Sequence, residues 1–313
     1  DESLLSLVPD YKGPVLLTKD IPGLPEAKSL PAAPSPEDRF ILLYTSGSTG
    51  TPKGCILEHG NIAAFCIWYR KYFGLSEESR IAAYASYGFD ANMMHMYPAL
   101  TSGAAVYIVD ESIRLDLNAL DAYFKEAGIT HAFMTTQIGR AYATSMENDT
   151  LRFLSMGGEA LTPFEPKGKT QYFNVYGPTE CTILTTAYPM TAFEEEVAIG
   201  RAADNMKLYV LDSLGRRVPT GVPGELCIAG YQVSRGYLNR PEKTAEVYTD
   251  NPFCSQEGYG RLYHTGDIAR FLPDGNVQFI GRRDGQVKIR GFRIELTEVE
   301  EIIRRFPGIK DAT

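Results

Sequence analysis

The sequence predicts an α/β protein in which helices and a mostly parallel sheet form layers, followed by a smaller β-rich part. Between residues 40 and 190, short apolar runs with high β-propensity alternate with helical runs, which is the pattern of a parallel sheet. Beyond residue 195 the runs are short strands separated by turn residues. The 313 residues are also enough for roughly two domains, at ~150 residues each, with a large buried core.

The first elements flank a loop that is rich in glycine and hydroxyl side chains. A proline-rich segment, residues 20–38, predicts an extended connector, and "RFILLY" after it predicts a short buried strand. Beyond the loop "TSGSTGTPKG", apolar residues recur at helical spacing, at Ile62, Phe65, Cys66, Tyr69 and Phe73. The pattern therefore predicts that the loop joins a strand to a helix.

Four later runs predict strands of the parallel sheet, and one predicts a helix among them. The strand runs are "AAVYIVD", "THAFMT", "LRFLSMGG" and "QYFNVYG", and the helical run is "LNALDAYFKEAG". In the β-rich part, strands are predicted in "KLYVLDSLGRRV", "GELCIAG" and "IARFLPDGNVQFIGRRDGQVKIRG", where Pro-Asp-Gly and Asp-Gly indicate hairpins. The run "LTEVEEIIRRF" predicts an amphipathic helix with Leu296, Val299, Ile302 and Ile303 on one face.

Composition excludes several classes of function. A formal net charge of −8 argues against a non-specific nucleic-acid binder. No apolar stretch reaches the ~20 residues of a membrane helix, and no signal peptide is recognisable. The five cysteines are odd in number and widely spaced, which favours free thiols in a reducing, cytoplasmic setting over a disulfide framework or a zinc motif. The first residue is not Met, and we interpret the chain as a piece of something longer.

The loop is suited to binding phosphate groups. Its glycines let backbone N–H groups approach an anion, its Ser and Thr hydroxyls donate further bonds, and Lys53 adds a positive charge. A flexible Ser/Gly linker is the alternative, but linkers do not usually lie between a buried strand and an apolar helix. The loop is not the GxxxxGK[ST] type, because Gly54 follows Lys53, so a P-loop NTPase is a weak candidate.

The loop and four later motifs together resemble one family. "YTSGSTGTPKG", "FLSMGGEAL", "NVYGPTEC", "GELCIAGYQVSRGYLNRPEKTAEVYTDNPF" and "YHTGDIARFLPDGNVQFIGRRDGQVKIRGFRIELTEVE" follow the order of the adenylate-forming superfamily. That superfamily includes nonribosomal peptide synthetase adenylation domains, acyl-CoA ligases and luciferases. The motifs span residues 40–301, and the closing ones resemble the peptide-synthetase branch.

The resemblance implies the large N-terminal domain of the adenylate-forming fold, with mixed β-sheets layered with helices and a small β-barrel-like subdomain. It divides the chain into residues 1–192, the α/β part of the adenylation core without its N-terminal part, and residues 193–283, a β-rich subdomain. Residues 284–313 would be the hinge and the start of a lid domain that is mostly absent.

The implied reaction joins an amino acid to the α-phosphate of ATP, releases pyrophosphate and passes the aminoacyl group to the phosphopantetheine thiol of a peptidyl carrier protein. Such catalysis is mainly charge neutralisation and alignment, with ATP and Mg²⁺ as cofactors. The implied partners are the carrier protein and other synthetase modules, with no nucleic acid and no membrane.

The resemblance also assigns nucleotide-binding residues. For the β- and γ-phosphates these are Thr45, Ser46, Gly47, Ser48, Thr49, Gly50 and Lys53. For adenosine they are Gly158, Glu159, Ala160, Asn174, Tyr176, Gly177, Asp267, Phe279 and Arg282, with Tyr176 stacking on adenine and Asp267 accepting bonds from the ribose hydroxyls. Thr179 would approach the α-phosphate and Glu180 would hold Mg²⁺, although a solvated turn carboxylate is the alternative for Glu180.

Asp90 distinguishes the amino-acid interpretation from its nearest rival. In the peptide-synthetase branch the matching Asp pairs with the α-ammonium group, and acyl- and aryl-CoA ligases generally lack it. The alternative role is a helix N-cap, which is compatible with the first. The remaining pocket positions are Ala91, Met94, Phe133, Ser155, Gly157, Val175, Ile183 and Leu184. None of them is charged, so they predict a neutral apolar side chain such as Leu, Val, Met or Phe, with relaxed selectivity.

The end of the chain carries the last assignments. In the resemblance Asp284 is the hinge of the lid, although Asp284-Gly285 also fits an ordinary hairpin turn. The lysine near the end of the lid has no counterpart, and loss of such a charge typically lowers the rate by ~10²–10³, so we expect impaired catalysis. A lone histidine, His95, is interpreted as a core residue. A non-catalytic nucleotide-binding module remains a rival from another functional class.

Overall fold

The computed structural model describes residues 2–7, 9–26, 29, 32–46, 52–283, 287–289, 292–294, 296–304, 306 and 308–309. It contains two compact units, Asp1–Pro34 and Ser35–Thr313. The first unit has two 3₁₀ helices, Glu2–Leu7 and Thr18–Gly23. The second of these overlaps the start of the segment, residues 20–38, that was predicted to be an extended connector.

The second unit carries the strands and α-helices. The strands are β1 Arg39–Thr45, β2 Lys53–Glu58, β3 Arg80–Ala83, β4 Ala105–Ile108, β5 His131–Thr135, β6 Phe153–Gly157, β7 Gln171–Tyr176, β8 Thr186–Met190, β9 Arg201–Ala202, β10 Met206–Leu211, β11 Gly224–Gly230, β12 Gly236–Tyr237, β13 Tyr248–Asp250, β14 Arg261–Phe271, β15 Val277–Arg282, β16 Val287–Ile289 and β17 Phe292–Ile294. The helices are α1 His59–Tyr72, α2 Asp90–Thr101, α3 Leu117–Ala127, α4 Thr136–Ser145, α5 Pro241–Val247 and α6 Leu296–Arg304.

The main sheet has seven strands in the order β4-β3-β5-β6-β7-β8-β9. Strands β4 to β7 are parallel and β8 and β9 are antiparallel, which confirms the predicted mostly parallel sheet. Alternate residues of β5 enter different cores: Phe133 packs in the cluster that contains α1 and α2 residues, whereas Ala132 and Met134 pack in the cluster that contains α3 and α4 residues. Both faces of the sheet are therefore covered by helices, which explains why its strands are almost uniformly apolar.

The β-rich part is an antiparallel sheet of five strands. Its order is β10-β11-β14-β13, with β15 also paired to β14. Strand β14 is long enough to pair with β13 near its start and with β15 near its end. The predicted Pro-Asp-Gly hairpin joins β14 to β15, with Gly275 at a φ of 86° that favours glycine.

The prediction that the glycine-rich loop joins a strand to a helix is wrong. A second strand, β2, follows the loop and pairs antiparallel with β1, placing Lys53 opposite Thr45. Cys55, Ile56 and Leu57 are buried in it, because this short apolar run forms the middle strand of the sheet β1-β2-β12. Helix α1 begins only at His59, where the backbone N–H of Glu58 donates to Asn61 Oδ1 at 2.9 Å.

The end of the chain contains the predicted amphipathic helix, α6. Its residues Leu296, Val299, Ile302 and Ile303 are 39–54% exposed. Within the described part of the chain, no helix has the length and apolar character needed to cross a membrane. The five cysteines are free thiols, as the sequence predicted.

Candidate active site

A cavity of about 1120 Å³ opens at the carboxyl ends of the parallel strands. Phe133 and Thr135 of β5, Gly157 of β6 and Val175 of β7 line it. The crevice outside the carboxyl ends of parallel strands is where α/β sheets usually bind ligands. Its other walls come from β1, the start of α2, the segment after β7, and strands β14 and β15.

The cavity brings together residues predicted for the nucleotide and residues predicted for the amino acid. They are Thr45, Ser46, Asp90, Ala91, Met94, Phe133, Gly157, Gly158, Val175, Gly177, Thr179, Ile183, Leu184, Asp267 and Arg282. Described residues that were predicted for the site but do not line the cavity are Lys53, Ser155, Glu159, Ala160, Asn174, Tyr176, Glu180 and Phe279. Gly47, Ser48, Thr49, Gly50 and Asp284 lie outside the described residues.

Asp267 is the centre of a buried polar cluster at the cavity wall. The Tyr176 hydroxyl donates to Oδ2 of this carboxylate, and Arg282 Nη1 lies 2.5 Å from Oδ1. Pairing of β14 with β15 places Asp267 opposite Arg282, and both side chains are about nine-tenths buried. Burial and the neighbouring Asp267 raise the pKa of Tyr176 well above its usual value, so its phenol stays protonated and donates. The carboxylate is therefore held in one orientation and keeps lone pairs for further donors.

Asp90 and Thr179 meet at the same cavity. Asp90 is the first residue of α2, and Thr179 Oγ1 donates to its Oδ2 at 2.5 Å. The helix N-terminus favours the ionised carboxylate. Apolar side chains line much of the same cavity, among them Ala91, Met94, Phe133, Val175, Ile183 and Leu184. The arrangement is suited to a cationic group attached to an apolar body.

Glu180 lies behind the wall of the cavity. Its side chain is fully buried, and the Tyr237 hydroxyl donates to its Oε1 at 2.7 Å. Burial and the Glu180 charge raise the pKa of Tyr237. Lys53 Nζ lies 5.0 Å from the centre of the Tyr237 ring, within cation–π range. The alternative in which Glu180 is a solvated turn carboxylate is therefore wrong.

The segment after β7 has an unusual backbone. Thr182 and Ile183 have φ values of 55° and 72°, which are rare for β-branched residues and are often found at functional sites. Thr182 Oγ1 donates to the Gln232 carbonyl at 2.7 Å and stabilises this conformation. A Cβ at Gly177 would lie 2.2 Å from the Ile183 carbonyl oxygen, so only glycine fits there. This close approach places Ile183 and Leu184 at the wall.

Several residues that were predicted to contact adenosine do not line the cavity and instead bond or pack within the protein. Asn174 is buried and donates from Nδ2 to the Ala198 carbonyl at 2.8 Å. The backbone N–H of Glu159 donates to Thr136 Oγ1 at 3.2 Å, and the same hydroxyl donates to the Glu159 carbonyl. Ser155 is buried, Ala160 is exposed, and Phe279 packs against the apolar core.

The structure adds two charged residues to the cavity that sequence reasoning missed, Glu111 and Arg114. They lie between β4 and α3, at the carboxyl edge of the sheet. The Arg114 guanidinium carbon is 5.8 Å from the Tyr84 ring centre, and the Tyr84 hydroxyl donates to the Arg114 carbonyl at 3.0 Å. Glu111 is 3.9 Å from the arginine and almost fully exposed. The sequence does place this segment directly after a predicted strand of the parallel sheet, where ligand-binding residues are common. The segment matches no motif, however, and it was therefore not predicted.

Comparison with known proteins identifies the sequence relatives. Residues 6–238 match the family model described as AMP-binding enzyme. The chain is 42% identical over 275 residues to bacitracin synthase 1 of Bacillus licheniformis, which covers 88% of this chain and 5% of that protein. It is 39% identical over 313 residues to surfactin synthase subunit 2 of Bacillus subtilis (strain 168), covering 97% of this chain and 9% of that protein. The chain thus spans less than a tenth of the length of these curated relatives.

Solved structures share the fold. One is NpsA-ThdA, an artificially fused adenylation–PCP di-domain from Klebsiella oxytoca, with a TM-score of 0.86, 26% identity and coverage of 98% of this chain and 63% of that one. Another is the Vibrio cholerae adenylation domain AlmE in complex with glycyl-adenosine-5′-phosphate, with a TM-score of 0.74, 28% identity and coverage of 87% and 53%.

Proposed function

The chain belongs to the AMP-binding enzyme family, as an adenylation domain of the nonribosomal peptide synthetase type, and on that premise we propose that it activates an amino acid. The carboxylate oxygen of the amino acid attacks the α-phosphorus of ATP, the bond to the β-phosphate breaks, and pyrophosphate leaves with the electron pair. The observation that carries this proposal is one cavity that contains the Asp90–Thr179 pair and the Asp267–Arg282 pair.

The nucleotide is proposed to lie against Asp267. The ribose hydroxyls would donate to its carboxylate, which Tyr176 and Arg282 already orient. Strand β1 ends at Thr45, and both Thr45 and Ser46 line the cavity at the start of the loop proposed to hold the β- and γ-phosphates. Lys53 lies directly across the hairpin from Thr45, so its charge is close to the start of that loop.

The amino acid is proposed to bind at Asp90. The α-ammonium group would pair with this carboxylate, and Thr179, which donates to Asp90, would lie between the amino acid and the α-phosphate. This binding mode would bring the substrate carboxylate next to the phosphorus that it attacks, and such alignment is a large part of catalysis. The similar Vibrio cholerae structure is a complex with glycyl-adenosine-5′-phosphate, the class of product proposed.

The side chain is proposed to be neutral and apolar. The cavity that contains Asp90 is lined largely by apolar side chains, and only glycine fits at position 157 of β6, because a Cβ there would lie 2.6 Å from the Val175 carbonyl oxygen. A charged side chain in this part would be buried without a partner, which is unfavourable by several kcal/mol. Leu, Val, Met and Phe are the proposed substrates, and because one methylene changes binding by only ~1–3 kcal/mol, we expect overlap among them.

Mg²⁺ is proposed as the metal cofactor, with Glu180 as its protein ligand. A carboxylate oxygen is the donor type that Mg²⁺ prefers, and Glu180 is next in sequence to Thr179 of the cavity wall. Because the Glu180 side chain is buried against Tyr237, it would reach the ion after a side-chain movement or through a water. When bound, the ion neutralises charge on the phosphate oxygens.

The acceptor is proposed to be a carrier-protein thiol, within an assembly of synthetase modules. Two similar structures, NpsA-ThdA and PA1221, contain adenylation and PCP domains in one chain. The thiol sulfur would attack the carbonyl carbon of the aminoacyl-AMP and AMP would leave.

The test is a panel of the twenty amino acids in ATP–pyrophosphate exchange, together with binding of leucyl-sulfamoyladenosine by calorimetry. We expect exchange that depends on apolar amino acids and tight binding of the analogue. Preference for the desamino acid would favour an acyl-CoA ligase. ATP binding that no amino acid or acid affects would favour a non-catalytic module, and ADP formation would favour a P-loop NTPase.

A further inference from the structure

Three side chains with metal-ligating atoms converge on one face of the β-rich sheet. Cys227 on β11 lies directly opposite His264 on β14, and Glu225 precedes Cys227 by two residues, which places it on the same face. Cys227 Sγ is 3.3 Å from His264 Nδ1, which is in turn 3.4 Å from Glu225 Oε2. All three ligand atoms lie within 4.8 Å of one another. We propose that Glu225, Cys227 and His264 form a binding site for a single Zn²⁺ ion.

The spacing of the ligand atoms fits a tetrahedral zinc centre. Bond lengths of about 2.3 Å to sulfur and about 2.0–2.1 Å to nitrogen and oxygen place ligand atoms about 3.6 Å apart for the S–N pair and about 3.3 Å apart for the N–O pair. The two corresponding distances here are 3.3 Å and 3.4 Å. Little side-chain movement is therefore needed to form these two bonds, and a water would complete the tetrahedron.

The far side of the imidazole is arranged as in zinc sites. His264 Nε2 lies 3.1 Å from the hydroxyl of Thr249. With the proton on Nε2 donated to Thr249, the lone pair of Nδ1 points to the position between Cys227 and Glu225. Ligating histidines usually donate their second ring N–H in this way, because that contact fixes the tautomer and the ring orientation.

Burial and charge also bear on the site. Cys227 is fully buried, and because a cysteine binds a metal as its thiolate, binding of the cation releases one proton. The competing cation is Arg283, whose Nη1 lies 3.3 Å from Glu225 Oε2. Its side chain is 67% exposed, and such exposed pairs contribute little, so zinc displaces it. The Gly266 N–H donates to the other oxygen of Glu225 at 3.1 Å and keeps the carboxylate in place.

The donor set selects the metal. Thiolate and imidazole together favour Zn²⁺ over the hard cations Mg²⁺ and Ca²⁺. No zinc motif is recognisable in the sequence because the ligands come from two strands, with Cys227 and His264 37 positions apart. His264 lies three residues before Asp267 and Gly266 lies directly before it, so the ion would crosslink β11 to the part of β14 that carries the proposed ribose-binding carboxylate.

The first experiment uses Co²⁺ as a spectroscopic probe on the purified, reduced, metal-free chain. We expect one equivalent to bind with a thiolate-to-cobalt charge-transfer band, and Zn²⁺ but not Mg²⁺ to abolish it. Cys227→Ser should remove the band, and His264→Gln should weaken binding by roughly 10- to 100-fold. The matched control is Cys254→Ser, which removes a partly exposed thiol elsewhere and should change nothing. No band in the wild type, or a band that persists in Cys227→Ser, overturns the proposal.

The second experiment needs no variant and so does not depend on whether the substitutions fold. X-ray absorption at the zinc edge of the one-equivalent complex should show one sulfur at about 2.3 Å with nitrogen or oxygen neighbours. A shell of nitrogen and oxygen alone would mean adventitious surface binding and refutes the site. Binding of leucyl-sulfamoyladenosine, measured in parallel, reports on the proposed adenylation function separately.

Discussion

Replacing Asp90 with Asn separates the charge of this residue from its shape. The asparagine carbonyl can still accept the hydrogen bond from Thr179 Oγ1, which is 2.5 Å long in the wild type, so the start of α2 should be preserved. The substitution removes the charge-assisted hydrogen bond to the α-ammonium group in a partly buried cavity, which should weaken the binding free energy by about 2–4 kcal/mol. At 1.4 kcal/mol per tenfold change, leucine affinity should fall by roughly 30- to 700-fold.

The assay is calorimetric titration with leucine and with 4-methylpentanoate, its desamino analogue, each in the presence of ATP. The variant should lose affinity for leucine, keep its affinity for ATP, and bind the desamino acid no more weakly than the wild type. The matched control is Asp116→Asn, at the N-cap of α3, where the carboxylate accepts from the backbone N–H groups of Asn118 and Ala119. Asparagine caps helices equally well, so leucine binding should not change. Unchanged leucine affinity in Asp90→Asn would refute the ammonium contact.

Three further predictions test the nucleotide wall, the backbone and the buried core. Asp267→Asn should weaken ATP binding and lower the free energy of unfolding by about 1.5–3 kcal/mol, because the charge-assisted hydrogen bond between this carboxylate and the buried Arg282 is weakened; calorimetry and urea unfolding measure both, and equal ATP affinity would contradict the ribose contact. Gly177→Ala should destabilise the chain by about 1–3 kcal/mol, since its Cβ would meet the Ile183 carbonyl oxygen at 2.2 Å, whereas Gly260→Ala meets no atom within 4 Å and should be tolerated. Burial lowers the pKa of His95 to about 3, so below about pH 6.5 the unfolded chain binds a proton that the folded chain refuses. His95 should therefore lower the free energy of unfolding by up to about 1.4 kcal/mol per pH unit towards pH 3, and His95→Leu should reduce the slope by that amount in urea unfolding measured across that range.

Periodicity predicted the elements that present a continuous apolar face to the core. Helix α1 and strands β5 to β7 were found because each of them faces the apolar core, and the hairpin between β14 and β15 was found because its turn needs a glycine. Strand β2 was missed because "KGCILE" follows directly on the glycine-rich loop sequence and precedes the helix without a turn residue. A sequence pattern cannot show that such a run is the middle strand of a small sheet. One of its two neighbours, β12, comes from a part of the chain that is distant in sequence from both β1 and β2.

The site residues that belong to a family motif could be predicted from the sequence. The contacts between residues of different motifs could not be predicted, because they depend on how distant segments of the chain pack together. The hydrogen bond from Tyr237 to Glu180 joins residues 57 positions apart, and that from Tyr176 to Asp267 joins residues 91 positions apart. Arg114 was missed for another reason: it belongs to no motif, and only the position of its segment at the carboxyl edge of the sheet places it in the cavity.

The left-handed backbone at Thr182 and Ile183 has different consequences for enlarging the proposed amino-acid pocket and for narrowing it. Glycine or asparagine at 183 would relieve a conformation that β-branched residues rarely adopt, and either would also remove part of the wall. Enlarging the pocket at this position is therefore compatible with a more stable chain. Narrowing it is more readily done from α2 or β5, at Ala91 or Phe133, where the backbone accepts any side chain that fits.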